Sequence, residues 1–181
     1  MNGGDFLRSG WVPDNVFLLL LTALMPENRL ALLVSMHTGL RIGDVLQIRT
    51  EQIKRQRFTV REQKTGKIKK VFVPVELWRD MNRIAGRRYV FEGRLDWRKP
   101  RTRSAVYKDL RRVCELYRLD GKAIRAHLSP HSARKIYAVR QMRRYGIERV
   151  KELLNHESEA VTMLYAMADV LEESQEAHKA R

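Results

Sequence analysis

The chain has a single cysteine, Cys114, which excludes an internal disulfide and a zinc site built from cysteines. That residue sits in the apolar-spaced run Leu110, Val113, Leu116 and Tyr117, a setting that predicts a buried structural thiol and not a nucleophile. Long hydrophobic runs are also missing. The main apolar stretch, residues 16–24, is too short to span a bilayer, follows Pro13 and Asp14, and has no basic start before it. It reads as neither a membrane span nor a secretory signal, and the cytoplasm is the expected location. Acidic residues are in deficit, 21 Asp and Glu against 36 Lys and Arg, which leaves a formal charge of +15. With 44% hydrophobic residues the chain can still bury a core, so the charge belongs to the surface of a folded domain and not to a disordered basic tail. A polyanion is the expected partner. Nucleic acid is favoured over a membrane surface because the basic residues are spread through many segments, with no single basic amphipathic anchor.

No internal repeat or low-complexity segment is present, and the length suits one domain. Residues 1–12 begin Gly-rich and read as a poorly ordered or extraneous terminus. Helices are predicted over residues 13–25 and 27–37, stopped by Thr38 and Gly39, and a further helix over 40–48, with Arg41 at the join and Asp44 one turn later. The period then changes to that of strands. Residues 57–63 and 68–73, separated by Lys64-Thr65-Gly66-Lys67, predict a β-hairpin with lysines at its tip. Residues 75–84 read as a helix, Tyr89-Val90-Phe91 as a short strand or buried tether, 103–117 as a helix, and 119–128 as a loop or short turn. Lys108, Arg111 and Arg112 on the 103–117 helix could track a DNA backbone or form a solvated face.

The stretch Leu128 to Gly146 carries the sharpest local signal. Ser129 can cap a helix and Pro130 suits its first position, which sets His131 and Arg134 three apart on one face of the first turns. Free backbone N–H groups at such a start, with an imidazole and a guanidinium beside them, make a compact anion site; a solvated helix face is the alternative. A short helix over 147–154 follows, ending at Asn155-His156, and Ser158 can cap another that contains Tyr165.

These pieces stand in an order that resembles the catalytic domain of the tyrosine recombinases, the phage integrase family, and is most similar to the lambda-type integrases. HTGLRIGDVLQI resembles the first motif, with Arg41 at the first catalytic arginine and Asp44 at the supporting acidic position, where many relatives carry Glu. REQKTGK resembles the hairpin; 23 residues after Arg41, Lys64 is the better match for the catalytic lysine, with Lys67 in reserve. LSPHSAR carries the His-x-x-Arg pattern through His131 and Arg134. LLNHES carries the Leu-x-His segment through His156, and nine residues on Tyr165 matches the nucleophile. His37, His127 and His178, and Tyr107, Tyr117, Tyr137 and Tyr145, match no motif position.

The resemblance implies an α+β fold, mainly helical with a small antiparallel β-hairpin or sheet. It implies a catalytic domain over residues 13–166, followed by an exchange-type helix over 167–181 that docks on a neighbouring subunit. It implies DNA integration or excision for a mobile element by strand cleavage and rejoining, without metal, other cofactor or ATP. Tyr165 would form a 3′-phosphotyrosyl link, Arg41 and Arg134 would hold the non-bridging oxygens, and His156 would add a hydrogen bond. Lys64 would protonate the leaving 5′-oxygen and His131 would help take the tyrosine proton. Lys67, Lys108, Arg111 and Arg112 are further candidate DNA contacts. A monomer in isolation and a tetramer on double-stranded DNA are expected. Two other readings share the chemistry or the charge, a type IB topoisomerase-like strand relaxation and a catalytically silent DNA-binding module. Relatives commonly carry an additional DNA-binding domain ahead of the catalytic one, and about one helix precedes the first motif here.

Overall fold

The computed structural model describes residues 12, 14–119, 122–123 and 128–154. Helix α1 (Asp14–Thr22) turns Phe17, Leu20 and Leu21 inward at helical spacing and leaves Leu18 and Leu19 outside. Helix α2 (Pro26–Thr38) starts on a proline whose missing N–H costs nothing there, and it stops at Gly39, which takes the left-handed conformation with φ of 68°. The stop is reinforced by side chains. Ser35 Oγ donates to the Leu40 carbonyl at 2.7 Å and Thr38 Oγ1 to the Val34 carbonyl at 2.7 Å, so the turn out of α2 is tied on both sides.

Helix α3 is shorter than its sequence pattern predicts, Ile42–Leu46 and not 40–48, because Arg41 is extended and serves as its N-cap. The 3-10 helix Thr50–Lys54, which the strand-like pattern after Thr50 conceals, then delivers the chain to the hairpin. Strands β1 (Arg57–Arg61) and β2 (Ile68–Phe72) pair antiparallel, with Phe58 opposite Val71 and Val60 opposite Lys69. Glu62 and Lys67 close the ladder and Gly66, at φ of 68°, makes the turn. Helix α4 (Val75–Ile84) buries Leu77 and Met81, and Trp78 Nε1 donates to the Ile53 carbonyl at 2.8 Å.

Residues 89–91 run as the expected buried tether. Tyr89 bridges Arg49, Val90 N donates to the Ile48 carbonyl at 3.0 Å, and Val90 and Phe91 are fully buried. Helix α5 (Arg103–Leu116) is capped by Thr102 and buries Cys114 beside Val113 and Leu110. Its buried Asp109 accepts from Met25 N at 2.9 Å, Asn28 Nδ2 at 2.8 Å and Arg112 Nη2 at 2.8 Å. Burial alone would raise the Asp109 pKa, but these donors outweigh it and hold the carboxyl below the usual range. The loop expected over 119–128 contains a small second ladder, β3 (Arg118–Leu119) against β4 (Lys122–Ala123). Helices α6 (Pro130–Tyr145) and α7 (Ile147–Leu154) end the described chain.

The architecture is therefore α+β and mainly helical, with two small antiparallel pairs. One core joins α1 to α5, the hairpin and the start of α6, and a smaller cluster of Tyr137, Ala138, Val139, Val150 and Leu154 packs α6 on α7. No described helix is long and apolar enough to cross a membrane.

The contact between α2 and α6 decides where the later motifs stand relative to the first. A Cβ on Gly39 would lie 2.5 Å from both Cδ1 and Cε1 of Tyr137, and the positive φ would be strained as well. Gly39→Ala should therefore cost about 2–3 kcal/mol, by backbone strain plus overpacking. Urea unfolding measures it, and a Tyr137→Leu background should recover the steric part of the loss while leaving the backbone part. A Gly39→Ala protein as stable as the parent would show that the seam does not require glycine.

Candidate active site

Arg41 reaches the site from the joint between α2 and α3. Its own carbonyl accepts from Asp44 N and Val45 N, which fixes the backbone, and only 11% of its side chain is exposed. The guanidinium pairs with Glu62, Nη1 to Oε2 at 3.7 Å, and the Glu62 side chain is fully buried. Glu62 stands just past β1, and its Oε2 also accepts from Thr65 Oγ1 at 2.9 Å. One buried carboxylate thus joins the first arginine to the hairpin turn.

Asp44 stands beside Arg41 in a supporting position. It is buried, and its Oδ1 accepts from Gln63 N at 2.9 Å, so it ties α3 to the hairpin and is not Arg41's ion-pair partner. Burial raises the Asp44 pKa, opposed by the Gln63 N–H, with the Glu62 charge raising it further and Arg41 and Arg134 lowering it.

Helix α6 opens as expected. Ser129 Oγ accepts from His131 N at 3.2 Å, Ser132 Oγ accepts from Ser129 N at 3.2 Å, and Pro130 takes the first position. His131 is half-buried. Arg134 is fully buried, and its Nη2 donates to the carbonyl of Leu154 at 3.2 Å. That carbonyl closes α7, where backbone dipoles leave partial negative charge, so Arg134 also anchors the helix end that leads to residue 155.

Two residues in the site carry no motif label in the sequence. Glu62 is one. Lys69 is the other, an inward-facing residue of β2 whose Nζ donates to the Thr38 carbonyl at 2.9 Å and lies 5.5 Å from the centre of the Tyr137 ring. Burial pushes its pKa down to about 8; Arg134 and Arg41 push the same way, against Glu62 and Asp44. The sequence did hold a signal for it. In Ile68-Lys69-Lys70-Val71-Phe72 the inward positions are 69 and 71, so a lysine stands where alternation reserves an apolar side chain.

The structure therefore brings Arg41, Asp44 and Arg134 together with Glu62 and Lys69. It places Lys64 and Lys67 exposed around the hairpin tip, away from burial. Lys108 is exposed, Arg111 pairs with Glu115 at 3.5 Å, and Arg112 is held by Asp109 and by the Ala23 carbonyl at 3.0 Å, a tie between α5 and the end of α1. His156, Tyr165 and the 167–181 tail lie outside the described residues.

The phage integrase family model matches residues 13–172, most of the chain. This chain belongs to the phage integrase family. Its fold is that of solved recombinases at low identity. A lambda integrase tetramer bound to a Holliday junction superposes with a TM-score of 0.68 at 17% identity, over 86% of this chain and 48% of that one. XerA recombinase gives 0.64 at 20% identity, over 94% and 65%. XerH site-specific recombinase bound to palindromic difH substrate gives 0.66 at 16% identity, over 94% and 53%. The integrase chain thus spans roughly half to two thirds of the length of these structures. Among curated proteins no sequence matches.

Within this integrase fold, Glu62→Gln would remove the Glu62 charge from beside the largely buried Arg41 guanidinium. Breaking such a pair costs more than the pair contributes, so a loss of about 3 kcal/mol is expected in urea unfolding. Glu62→Asp, which keeps the charge on a shorter stem, should lose less. Equal stability of Glu62→Gln and the parent would remove Glu62 from the support of Arg41.

Proposed function

We propose that the chain is the catalytic domain of a tyrosine-type site-specific DNA recombinase that integrates or excises a mobile element. The observation that carries this reading is that the charges of Arg41 and Arg134, delivered by different helices, both act on the same buried Asp44 and on Lys69 in an integrase-family chain. Two guanidiniums present planar forks of donors, which suit the two non-bridging oxygens of a phosphodiester better than ammonium groups would. Their positions are fixed before substrate arrives, Arg41 by α3 and Glu62, Arg134 by α6 and the end of α7. Preorganised donors are what a transition state of rising oxygen charge needs.

The remaining roles follow the family pattern. The Tyr165 oxygen attacks phosphorus, the bond to the 5′-oxygen breaks, and a 3′-phosphotyrosyl link and a free 5′-hydroxyl result. His131 helps take the tyrosine proton and Lys64, from the exposed hairpin tip, supplies a proton to the leaving oxygen. His156 adds a hydrogen bond to the phosphate. Attack by the 5′-hydroxyl of a new strand reverses the step and restores Tyr165, so phosphodiester energy is kept in the link and no nucleotide triphosphate is consumed. The charge of +15, with Lys67, Lys108, Arg111 and Arg112 among its exposed or half-exposed contributors, draws duplex DNA on. Four copies assemble on paired sites.

Tyr165→Phe removes only the attacking oxygen. The variant should bind duplex DNA with parent affinity, lose affinity with salt as steeply as the parent, about 0.9 log units per log unit for each phosphate contact, and form complexes of the same size. On nicked duplexes it should yield no adduct that survives denaturing electrophoresis, whereas the parent yields one. An adduct formed by Tyr165→Phe would assign the nucleophile elsewhere, and no adduct from either protein would reduce the domain to a DNA-binding module.

A further inference from the structure

We propose that Lys69 is a positioning residue of the phosphate pocket. Its ammonium, anchored on the Thr38 carbonyl and the Tyr137 ring, is the third positive charge that lets Arg41 and Arg134 outweigh the buried Glu62 and Asp44 carboxylates and take up one phosphodiester. The inference rests on reading this pocket as the phosphodiester site.

The first support is geometric. Lys69 lies on the inward face of β2, opposite buried Val60 and two residues from buried Val71. A strand position of that kind is normally filled by an apolar side chain, and an ammonium there loses hydration unless something replaces it. What replaces it comes from three sides. From α2 comes the Thr38 carbonyl, from α6 the Tyr137 ring, and from the α3 joint and the hairpin the negative charges of Asp44 and Glu62, while the Arg134 and Arg41 charges act against the ammonium. The same tether therefore spans the elements that position both arginines. Lys70, next along β2, points outward and is exposed.

The second support is charge balance. Among the described groups that act on Lys69, Arg41, Arg134 and Lys69 itself make three positive charges against the two of Glu62 and Asp44, an excess of one that a single phosphodiester neutralises. With Lys69 neutral that excess is gone. Burial and the two arginines bring the Lys69 pKa down to about 8, so the protein without DNA begins to lose this proton just above neutrality. A phosphate anion entering the pocket reverses that pressure, because opposite charge favours the ammonium. Proton and phosphate then help each other bind, by the same factor in both directions. Lys64 and Lys67, exposed around the hairpin tip, are not held in this way.

The test uses the full chain as parent, Lys69→Arg, Lys69→Met and Lys70→Met. Binding to a short duplex of arbitrary sequence is followed by calorimetry at pH 8.5 in two buffers of different ionisation enthalpy, which counts protons taken up. Covalent adduct on a pool of randomised nicked duplexes is followed from pH 6.5 to 9.5. The parent and Lys70→Met should take up a fraction of a proton on binding, and their adduct rate should fall about tenfold per pH unit well above pH 8. Lys69→Arg, always charged, should take up none from this position and keep its rate to pH 9.5, within about tenfold of the parent at pH 7. Lys69→Met should cleave about 100-fold more slowly at pH 7, near the loss seen when one preorganised donor is removed.

Lys69→Arg that shows the parent's proton uptake and the parent's alkaline decline would overturn the proposal, and so would Lys69→Met that cleaves at the parent rate. If Lys69→Met does not fold, the Lys69→Arg profile decides alone. Proton uptake that disappears in Lys69→Arg, with no adduct from any protein, would support Lys69 while rejecting the recombinase reading. Adduct formation with a parent-like Lys69→Arg profile would do the opposite.

Discussion

Everything in the candidate site depends on keeping like charges close together in a place with little water. In the proposed reading Arg41 and Arg134 both face one phosphate, and without compensation each would raise the cost of the other. Glu62 supplies the compensation on one side, at 3.7 Å from Arg41, and the carbonyl of Leu154 supplies it on the other, at 3.2 Å from Arg134. The fold can be understood as the scaffold that brings these counter-charges in. The hairpin carries Glu62, α3 carries Asp44, and α7 presents the end of its backbone dipole.

The seam between α2 and α6 converts that electrostatic requirement into a packing one. Gly39 lets the Tyr137 ring sit against the turn that ends α2, and Ser35 and Thr38 lock the same turn through side-chain bonds. Arg41 is two residues downstream and Arg134 one helical turn before Tyr137. A displacement of Tyr137 would therefore be felt at both arginines at once. The Thr38 carbonyl, left over at the end of α2, is used by Lys69, so even the cap of this helix enters the pocket.

Most of the architecture was legible because it follows local chemistry. The capped, proline-started α6 is written in Leu128-Ser129-Pro130, the stop of α2 in Thr38-Gly39, and the hairpin in two alternating runs around Lys64-Thr65-Gly66-Lys67. Short elements were not. Helix α3 loses residues at both ends relative to its apolar stripe, at its start because Arg41 is extended and at its end because the chain leaves the helix at Gln47, and the 3-10 helix at Thr50–Lys54 has no stripe at all. In the site, the motif residues were read from their order along the chain, and of these Arg41, Asp44 and Arg134 lie together among the described residues. Asp44 was read as a supporting carboxylate, but its partner, Gln63 N, was not legible, since a carboxylate's hydrogen bonds depend on which strand end arrives beside it. Glu62 and Lys69 were missed because a charged residue in a charged strand gives no compositional contrast. Only the register, which turns Glu62 and Lys69 inward and Arg61 and Lys70 outward, separates buried charge from solvated charge.

The buried lysine also shows how the site draws on the stability of the fold. A lysine whose pKa is about 8 in the folded chain and 10.5 in water binds fewer protons folded than unfolded between those values. Stability from this group accordingly rises with pH through that window, and below about pH 8 the fold carries the full cost of burying the ammonium. An apolar residue at position 69 would avoid the cost and would continue the alternation of β2. Retaining a charged group where packing favours none makes sense only if the charge is used. The use that fits the geometry is an anion held between Arg41 and Arg134, since an anion is the one visitor that would refund the desolvation of all three cations together. The same reasoning explains why the pocket is assembled from the ends of elements, at Thr38, Arg41, Glu62 and the start of α6. Unspent backbone donors and acceptors are concentrated there, and they can carry buried charge without needing a larger core.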